Sequence, residues 1–248
     1  MATPPSLTIL IGADGASSTV RRSLGIEFEG FTWADRLLVI STPFDFFSVI
    51  PGLSSVSYVA DPQRWYFLLQ IPGLWRAMFL VNEDASDERV QTEDFAQSLM
   101  AGVVPGISSY EIAHTTLYKV HQRVAKTFRL GRAVLIGDAA HINNPLGGMG
   151  LNGGIHDAFN LSGKLIEVIR GAPLDTLQRY SRQRRKVALD VVQQTTLRNR
   201  SILNTREPGA RQAYYDDLRR TVEDPEKHRA YVMRTSMIQS LRDIEQVQ

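Results

Sequence analysis

GRAVLIGDAAHINNPLGGMGLNGGIHDAFNLSGK, residues 131–164, carries the pattern that decides the fold. It opens on an apolar run at 133–136, breaks at Gly137-Asp138 and crosses a loop that holds Gly147, Gly148 and Gly150. A helical pattern resumes from about Gly153. Strand, loop and helix N-terminus within about thirty residues make one supersecondary unit. A strand that ends in an acidic residue, followed by glycines that let backbone approach a ligand, suits a phosphorylated cofactor.

Downstream, Ile155, Phe159, Leu161, Leu165, Ile166 and Ile169 fall on one side of a helix expected over 156–170, which Gly171-Ala172-Pro173 ends. A longer helix over 174–203 follows, with Leu177, Tyr180, Val187, Leu189 and Val191 inward and Arg179, Arg182, Arg184, Arg185 and Lys186 outward. That basic cluster reads as a solvated face, or as a surface that meets the phosphates of a nicotinamide cofactor. Glu207-Pro208-Gly209 breaks the helix, and two more segments are expected at 210–222 and 225–244, with Asp224 as N-cap and Pro225 at N1.

Upstream, a strand at 7–12 runs into Asp14-Gly15, and a helical pattern covers 17–24 with Ser17 or Ser18 available as N-cap. Asp14-Gly15 is either a plain turn or a strand end that offers a carboxylate to a sugar hydroxyl, with Arg21 and Arg22 one turn into the helix. Short apolar and aromatic runs at 35–40, 56–59, 65–71 and 75–81, separated by Pro51-Gly52, Asp61-Pro62 and Pro72-Gly73, predict a mostly antiparallel sheet. Its rings (Phe44, Phe46, Phe47, Trp65, Tyr66, Phe67, Trp75) are sheet and core aromatics, or one wall of an apolar pocket for a ring-shaped substrate. A helix over 92–101 and a strand over 110–120 complete this part.

The 248 residues are 43% hydrophobic and 22% charged, an ordinary globular composition with room for a sizeable core. A net charge of +2 is too small to suggest nucleic acid as a partner. With 0 cysteines there is no disulfide, thiolate nucleophile or cysteine metal site, and His114, His121 and His141 lack the spacing of metal ligands. No run reaches the length of a membrane span and no secretory leader opens the chain, so a cytoplasmic location is expected.

Two segments resemble the class A flavin-dependent aromatic hydroxylases, the para-hydroxybenzoate hydroxylase-like monooxygenases. IGADGASSTVRRSLGIEFEG looks like that family's second dinucleotide motif, with Asp14, Gly15, Ser18 and Arg21 in place. GRAVLIGDAAHINNPLGGMGLNGGIHDAFNLSGKL matches its flavin-ribityl motif, from Gly137-Asp138 through Pro145 and Gly147 to Asn152, Asp157, Asn160 and Leu161. The strands between, including YVADPQRWYFLLQIPGLWR, look like its substrate-domain sheet. Two departures stand out: Ser162-Gly163-Lys164 replaces a frequent tryptophan, and no βαβ unit carrying GxGxxG and a later acidic residue precedes the first motif.

The resemblance implies a mixed α/β (α+β) chain, an incomplete FAD-binding Rossmann-like domain with an inserted, mostly antiparallel substrate-domain sheet and C-terminal helices. The flavin-binding portion is expected at 1–30 and 123–172, the sheet domain at 31–122 and the helices at 173–248. Cofactor contacts are expected from Asp14, Gly15, Arg21, Gly137, Asp138, Pro145, Gly147, Gly148, Gly150, Leu151 and Asn152. Asp138 would bind a cofactor hydroxyl near the diphosphate and ribityl chain, Gly147, Gly148 and Gly150 would pass close to the isoalloxazine, and Pro145 would line the face where oxygen reacts.

The implied function is hydroxylation of an aromatic, phenol-like small molecule with FAD as cofactor, NAD(P)H as co-substrate and O2 as oxidant. The chain would be such an enzyme, its C-terminal portion, or a subunit completed by a separate N-terminal polypeptide. The alternative is a stand-alone, non-catalytic remnant acting as a binding protein. An exposed sheet edge would favour homo-oligomers.

Overall fold

A computed structural model describes residues 8–61, 64–205 and 207–247. Leu7, where the first strand was expected to begin, and Pro62 of the Asp61-Pro62 turn lie outside them. In chain order the elements are β1 (Leu10–Gly12), α1 (Thr19–Ser23), β2 (Phe28–Thr42), β3 (Val56–Val59), β4 (Tyr66–Ile71), β5 (Leu74–Val81), α2 (Asp87–Val90), α3 (Glu93–Met100), β6 (His114–Ala125), β7 (Arg129–Leu130), β8 (Ala133–Leu135) and β9 (His141–Ile142). The helices α4 (Met149–Ile169), α5 (Thr176–Val187), α6 (Gln194–Leu203), α7 (Pro208–Glu223), α8 (Pro225–Thr235) and α9 (Ile238–Asp243) follow. A π-helical stretch, Ala188–Gln193, joins α5 to α6.

The chain divides into two compact units, one comprising Met1–Phe31, His121–Ser201 and Gly209–Gln248, the other Thr32–Val120 and Ile202–Pro208. In the first, β1 pairs in parallel with β8, which also pairs antiparallel with β7. Val134, Leu135, Phe128, Leu161, Leu177 and Tyr180 form its core. The Tyr180 hydroxyl is buried and donates to the Leu135 carbonyl at 2.7 Å, which satisfies the polar tip of a large core ring.

The helix α1 has five residues and is capped at its start by Ser18. Ser18 Oγ accepts from the Arg21 backbone N–H at 2.9 Å and is fully buried. Ser18→Ala is therefore expected to lower stability by about 1 kcal/mol, the usual cost of losing such a cap, read as a lower midpoint in denaturant unfolding.

In the second unit β3, β4, β5 and β2 pair in that order, each antiparallel to the next. Registers such as Leu38↔Phe79 and Ile40↔Ala77 between β2 and β5, and Leu68↔Ala77 between β4 and β5, place alternate residues on one face. There Leu38, Ile40, Leu68, Ala77 and Phe79 are buried with Ala96, Leu99 and Met100 of α3. Apolar runs in β2, β4 and β5, buried in part against the apolar side of α3, account for this sheet.

Four expectations need correction. The helix expected over 156–170 begins at Met149, so the glycines at 150, 153 and 154 lie inside it. Its buried line is Gly153, Asp157, Leu161, Lys164 and Val168, whereas Ile155, Ile166, Ile169 and Phe159, the last 81% exposed, face outward. Arg184 is not on a solvated face but is 1% exposed. The helix expected over 225–244 is two, because Met237 at φ 63° breaks it between α8 and α9.

Candidate functional site

The corner after β8 is tied to the helices by one carboxylate. Asp157, fully buried, accepts from the Gly137 N–H at 2.9 Å, from His141 Nε2 at 2.8 Å and from Arg184 Nε at 2.5 Å. Burial pushes Asp157 up, but the hydrogen bond and charge of His141, and then Arg184, outweigh it and hold the carboxyl below the usual range. His141 stacks on Phe128, and Arg184 also donates to the Gly153 carbonyl at 3.2 Å. A Cβ on Gly153 would sit 3.0 Å from the His141 ring, and one on Gly154 would sit 3.3 Å from the Gly137 Cα. Those glycines are in the helix because the strand-end corner packs directly on it.

The turn into α4 follows. Gly147 and Gly148 have φ of 104° and 64°, so both need glycine, and the Gly148 N–H bonds the Pro145 carbonyl at 3.0 Å. Gly148 is the N-cap of α4 and no side chain caps the first turn. Met149 anchors that end among Val187, Val192 and Met237, while Leu151 is exposed and Asn152 Nδ2 returns to the Gly148 carbonyl at 2.9 Å. Gly150 lies in the first turn, not in a loop. Further along α4, Asn160 locks the helix to α5, accepting from Lys164 Nζ and donating to Gln183 Oε1, and burial pulls Lys164 down to about 8.

The upstream motif meets this corner through Arg21. Its guanidinium donates to the carbonyls of Ala139 and Ala16 at 2.8 and 2.7 Å and lies over the Phe28 ring. Asp14 Oδ2 accepts from the N–H groups of Thr19 and Val20, and hydrogen bonds from Ser18 and that backbone lower the carboxyl to about 2. Asp14 therefore braces the start of α1, Arg21 ties the Gly137–Ala139 turn to this segment, and Gly15, at φ 79°, makes the bend between Asp14 and α1. Asp138 differs: it is exposed and has no hydrogen-bond or ion-pair partner among the described residues.

Arg184 and Gln183 are not legible in the sequence because charged and polar helix residues are expected to face water, and the role of His141 on β9 is hidden because its partner Asp157 lies 16 positions away. A further signal was present in 148–153, GMGLNG, which has the spacing GxGxxG and opens α4.

The outward cations of α5 are already paired, Arg179 with Glu167, Arg185 with Glu29 and Lys186 with Asp190. In the second unit, Phe46, Tyr66, Trp75 and Tyr110 are core residues. A cavity of about 380 Å³ there is lined by Arg64, Trp65, Asp84, Arg89 and Asn204 among others. His114 bonds Ser41 Oγ at 3.2 Å, and no group of three His, Cys, Asp or Glu that could hold a metal occurs among the described residues. Nor is any helix among them long and apolar enough to cross a membrane.

An FAD binding domain matches residues 8–195, and the chain belongs to that family, in the class A flavin-dependent aromatic monooxygenase group. It is 40% identical over 208 residues to para-nitrophenol 4-monooxygenase of Pseudomonas sp. (strain WBC-3), covering 82% of this chain and 51% of that protein. It is 35% identical over 204 residues to 6-hydroxy-3-succinoylpyridine 3-monooxygenase HspB of Pseudomonas putida (strain DSM 28022 / S16), covering 81% and 51%. Among solved structures, p-nitrophenol 4-monooxygenase PnpA from Pseudomonas putida DLL-E4 superposes with a TM-score of 0.83 at 34% identity, over 93% of this chain and 58% of that one. The chain thus spans about half the length of these relatives.

The residues present suit FAD. An unpartnered carboxylate at Asp138, uncapped N–H groups at the start of α4 and open space where Gly148 lacks a Cβ are what a hydroxylated, anionic ligand needs.

Proposed function

We propose that residues 137–152 hold the ribityl and ring end of FAD in an NAD(P)H- and O2-dependent hydroxylase of phenol-like aromatic compounds. The observation that carries this reading is the Asp138 carboxylate, exposed and unpartnered, on the same corner as the uncapped start of α4. The relatives' names point the same way, since two of them act on a nitrophenol and a hydroxypyridine.

Bound FAD supplies the redox chemistry, in which a hydride from NAD(P)H provides two electrons, one oxygen atom of O2 enters the aromatic ring and the other leaves as water. This chain's residues bind and orient. Asp138 accepts a hydrogen bond from a cofactor hydroxyl, Gly147, Gly148 and Gly150 admit the ring, and the N–H groups of Leu151 and Asn152, with the positive end of α4, favour negative charge on the reduced ring. Pro145 lines the oxygen-facing side. Arg21 acts behind the site, holding the Gly137–Ala139 turn that carries Asp138, while Asp14 and Gly15 shape the start of α1 that positions Arg21.

Leu10 and Ile11 on the edge strand β1, with Leu151, Ile155, Phe159 and Ile169 on α4, are exposed apolar residues. They support association with further polypeptide, either a second copy or a separate N-terminal subunit. The test is reconstitution of the purified chain with FAD, followed by an absorbance scan and measurement of NAD(P)H-dependent oxygen uptake with a phenol. A yellow protein with phenol-stimulated uptake is expected, and a colourless one that ignores added FAD would sink the reading.

A further inference from the structure

Thr196 and Asn199 lie beyond the stretch that the family covers, residues 8–195, yet both bear on its glycine turn. The link runs through Gln122. On β6 the inward positions are Val120, Gln122 and Val124, so an amide occupies a place where the alternation calls for an apolar side chain, and it is 1% exposed. A buried amide persists only if its hydrogen bonds are made.

The bonds have one consistent direction. Thr196 Oγ1, fully buried, is 2.9 Å from the Val192 carbonyl and 3.1 Å from that of Gln193, so its proton is spent on its own helix. Toward Gln122 it can only accept, at 3.0 Å, which fixes Nε2 on that side and turns Oε1 the other way. Oε1 then accepts from the Asn144 backbone N–H at 3.1 Å and from Asn144 Nδ2 at 3.2 Å. With its amide nitrogen so committed, Asn144 presents Oδ1 to the Leu146 N–H at 3.1 Å, a side-chain turn across Pro145. Asn199 Nδ2 reaches the Leu146 carbonyl at 3.4 Å, and a Cβ on Gly147 would come within 3.0 Å of the same nitrogen.

We infer that Gln122, Asn144 and Thr196 form a positioning relay that holds the 145–148 turn in the shape the flavin ring requires, with α6 as its anchor. The relay touches no ligand itself. It selects one amide orientation at each step, so that Pro145 and the glycines meet the ring from a fixed backbone. The inference rests on the reading that 137–152 hold FAD.

The test compares wild type with Gln122→Leu, Thr196→Val and Thr196→Ser, using FAD as the probe. Three quantities are read: the FAD dissociation constant from flavin fluorescence, the absorption envelope of bound flavin, and amide hydrogen exchange across 143–149 without FAD. Gln122→Leu leaves the two Asn144 donors without an acceptor, and is expected to weaken FAD binding about tenfold or more. It should also shift the envelope and speed exchange at Leu146 and Gly148. Thr196→Val, which perturbs the relay from the helix side and stands in if Gln122→Leu does not fold, should move the same quantities in the same direction. Thr196→Ser keeps the hydroxyl and should restore wild-type values. Variants that bind FAD with wild-type affinity and envelope overturn the relay while leaving the cofactor site intact. Weaker binding with unchanged exchange at 143–149 also overturns it. A wild-type chain that binds no FAD instead overturns the cofactor reading, and the relay's role toward flavin falls with it.

Discussion

Asp157→Ala is expected to destabilise the chain by about 3–5 kcal/mol, the usual cost of leaving one member of a buried ion pair without its partner. The wild-type carboxylate meets three donors on three elements, the Gly137 N–H, His141 and Arg184, and neither Asp157 nor Arg184 reaches solvent. Its removal strands a guanidinium in the core and frees the corner that carries Asp138. Chemical denaturation followed by far-ultraviolet circular dichroism measures the loss, and a midpoint within error of wild type would refute the arrangement. A second substitution, Arg184→Met in the Asp157→Ala background, should recover much of the stability, because a packed apolar side chain carries no charge to strand.

The same carboxylate sets a pH dependence. Its folded pKa lies below the ordinary aspartate value, so protons bind the unfolded chain more readily. The contribution to stability is therefore complete above about pH 4 and is lost as pH falls from there through the folded value. In Asp157→Asn that part of the acid-side slope should be missing, which unfolding curves collected at descending pH would reveal.

How much of this was legible in the sequence follows from what each pattern measures. β3 falls at 56–59 as expected, and the strands expected at 65–71 and 75–81 are offset by one residue, because short apolar runs bounded by turn residues such as Pro-Gly report a strand directly. Asp224 was readable as a cap, and it accepts from the N–H groups of Glu226 and Lys227. α4 was misread because apolar letters mark a buried face only when the neighbour is apolar. Here the neighbour is the Gly137 corner, which needs missing side chains at 153 and 154 and a carboxylate at 157. Arg184 was misread for the complementary reason, since a cation is placed outside by default and its buried acid lies 27 positions away. Of the acidic residues in the two motifs, spacing alone could not separate Asp14, whose Oδ2 caps α1, from Asp138, which is left open.

Asp138→Ala should therefore behave in the opposite way to Asp157→Ala. The side chain is exposed and carries no bond to the described residues, so stability should stay within about 0.5 kcal/mol of wild type, as for most surface substitutions. FAD affinity, in contrast, should fall by about ten- to a hundredfold, the worth of a hydrogen bond to an ionised group. Asp138→Asn keeps an acceptor oxygen without the charge and should fall between the two. Titration of each folded variant with FAD, followed by flavin fluorescence, reads the difference. The contrast is what gives the result its force. Asp157 and Asp138 are both tied to the same short turn, Gly137–Ala139, one behind it and one on it. Loss of binding with retained stability at Asp138, beside loss of stability at Asp157, assigns one carboxylate to the ligand and the other to the scaffold. An Asp138→Ala protein that binds FAD like wild type would move the cofactor away from this corner.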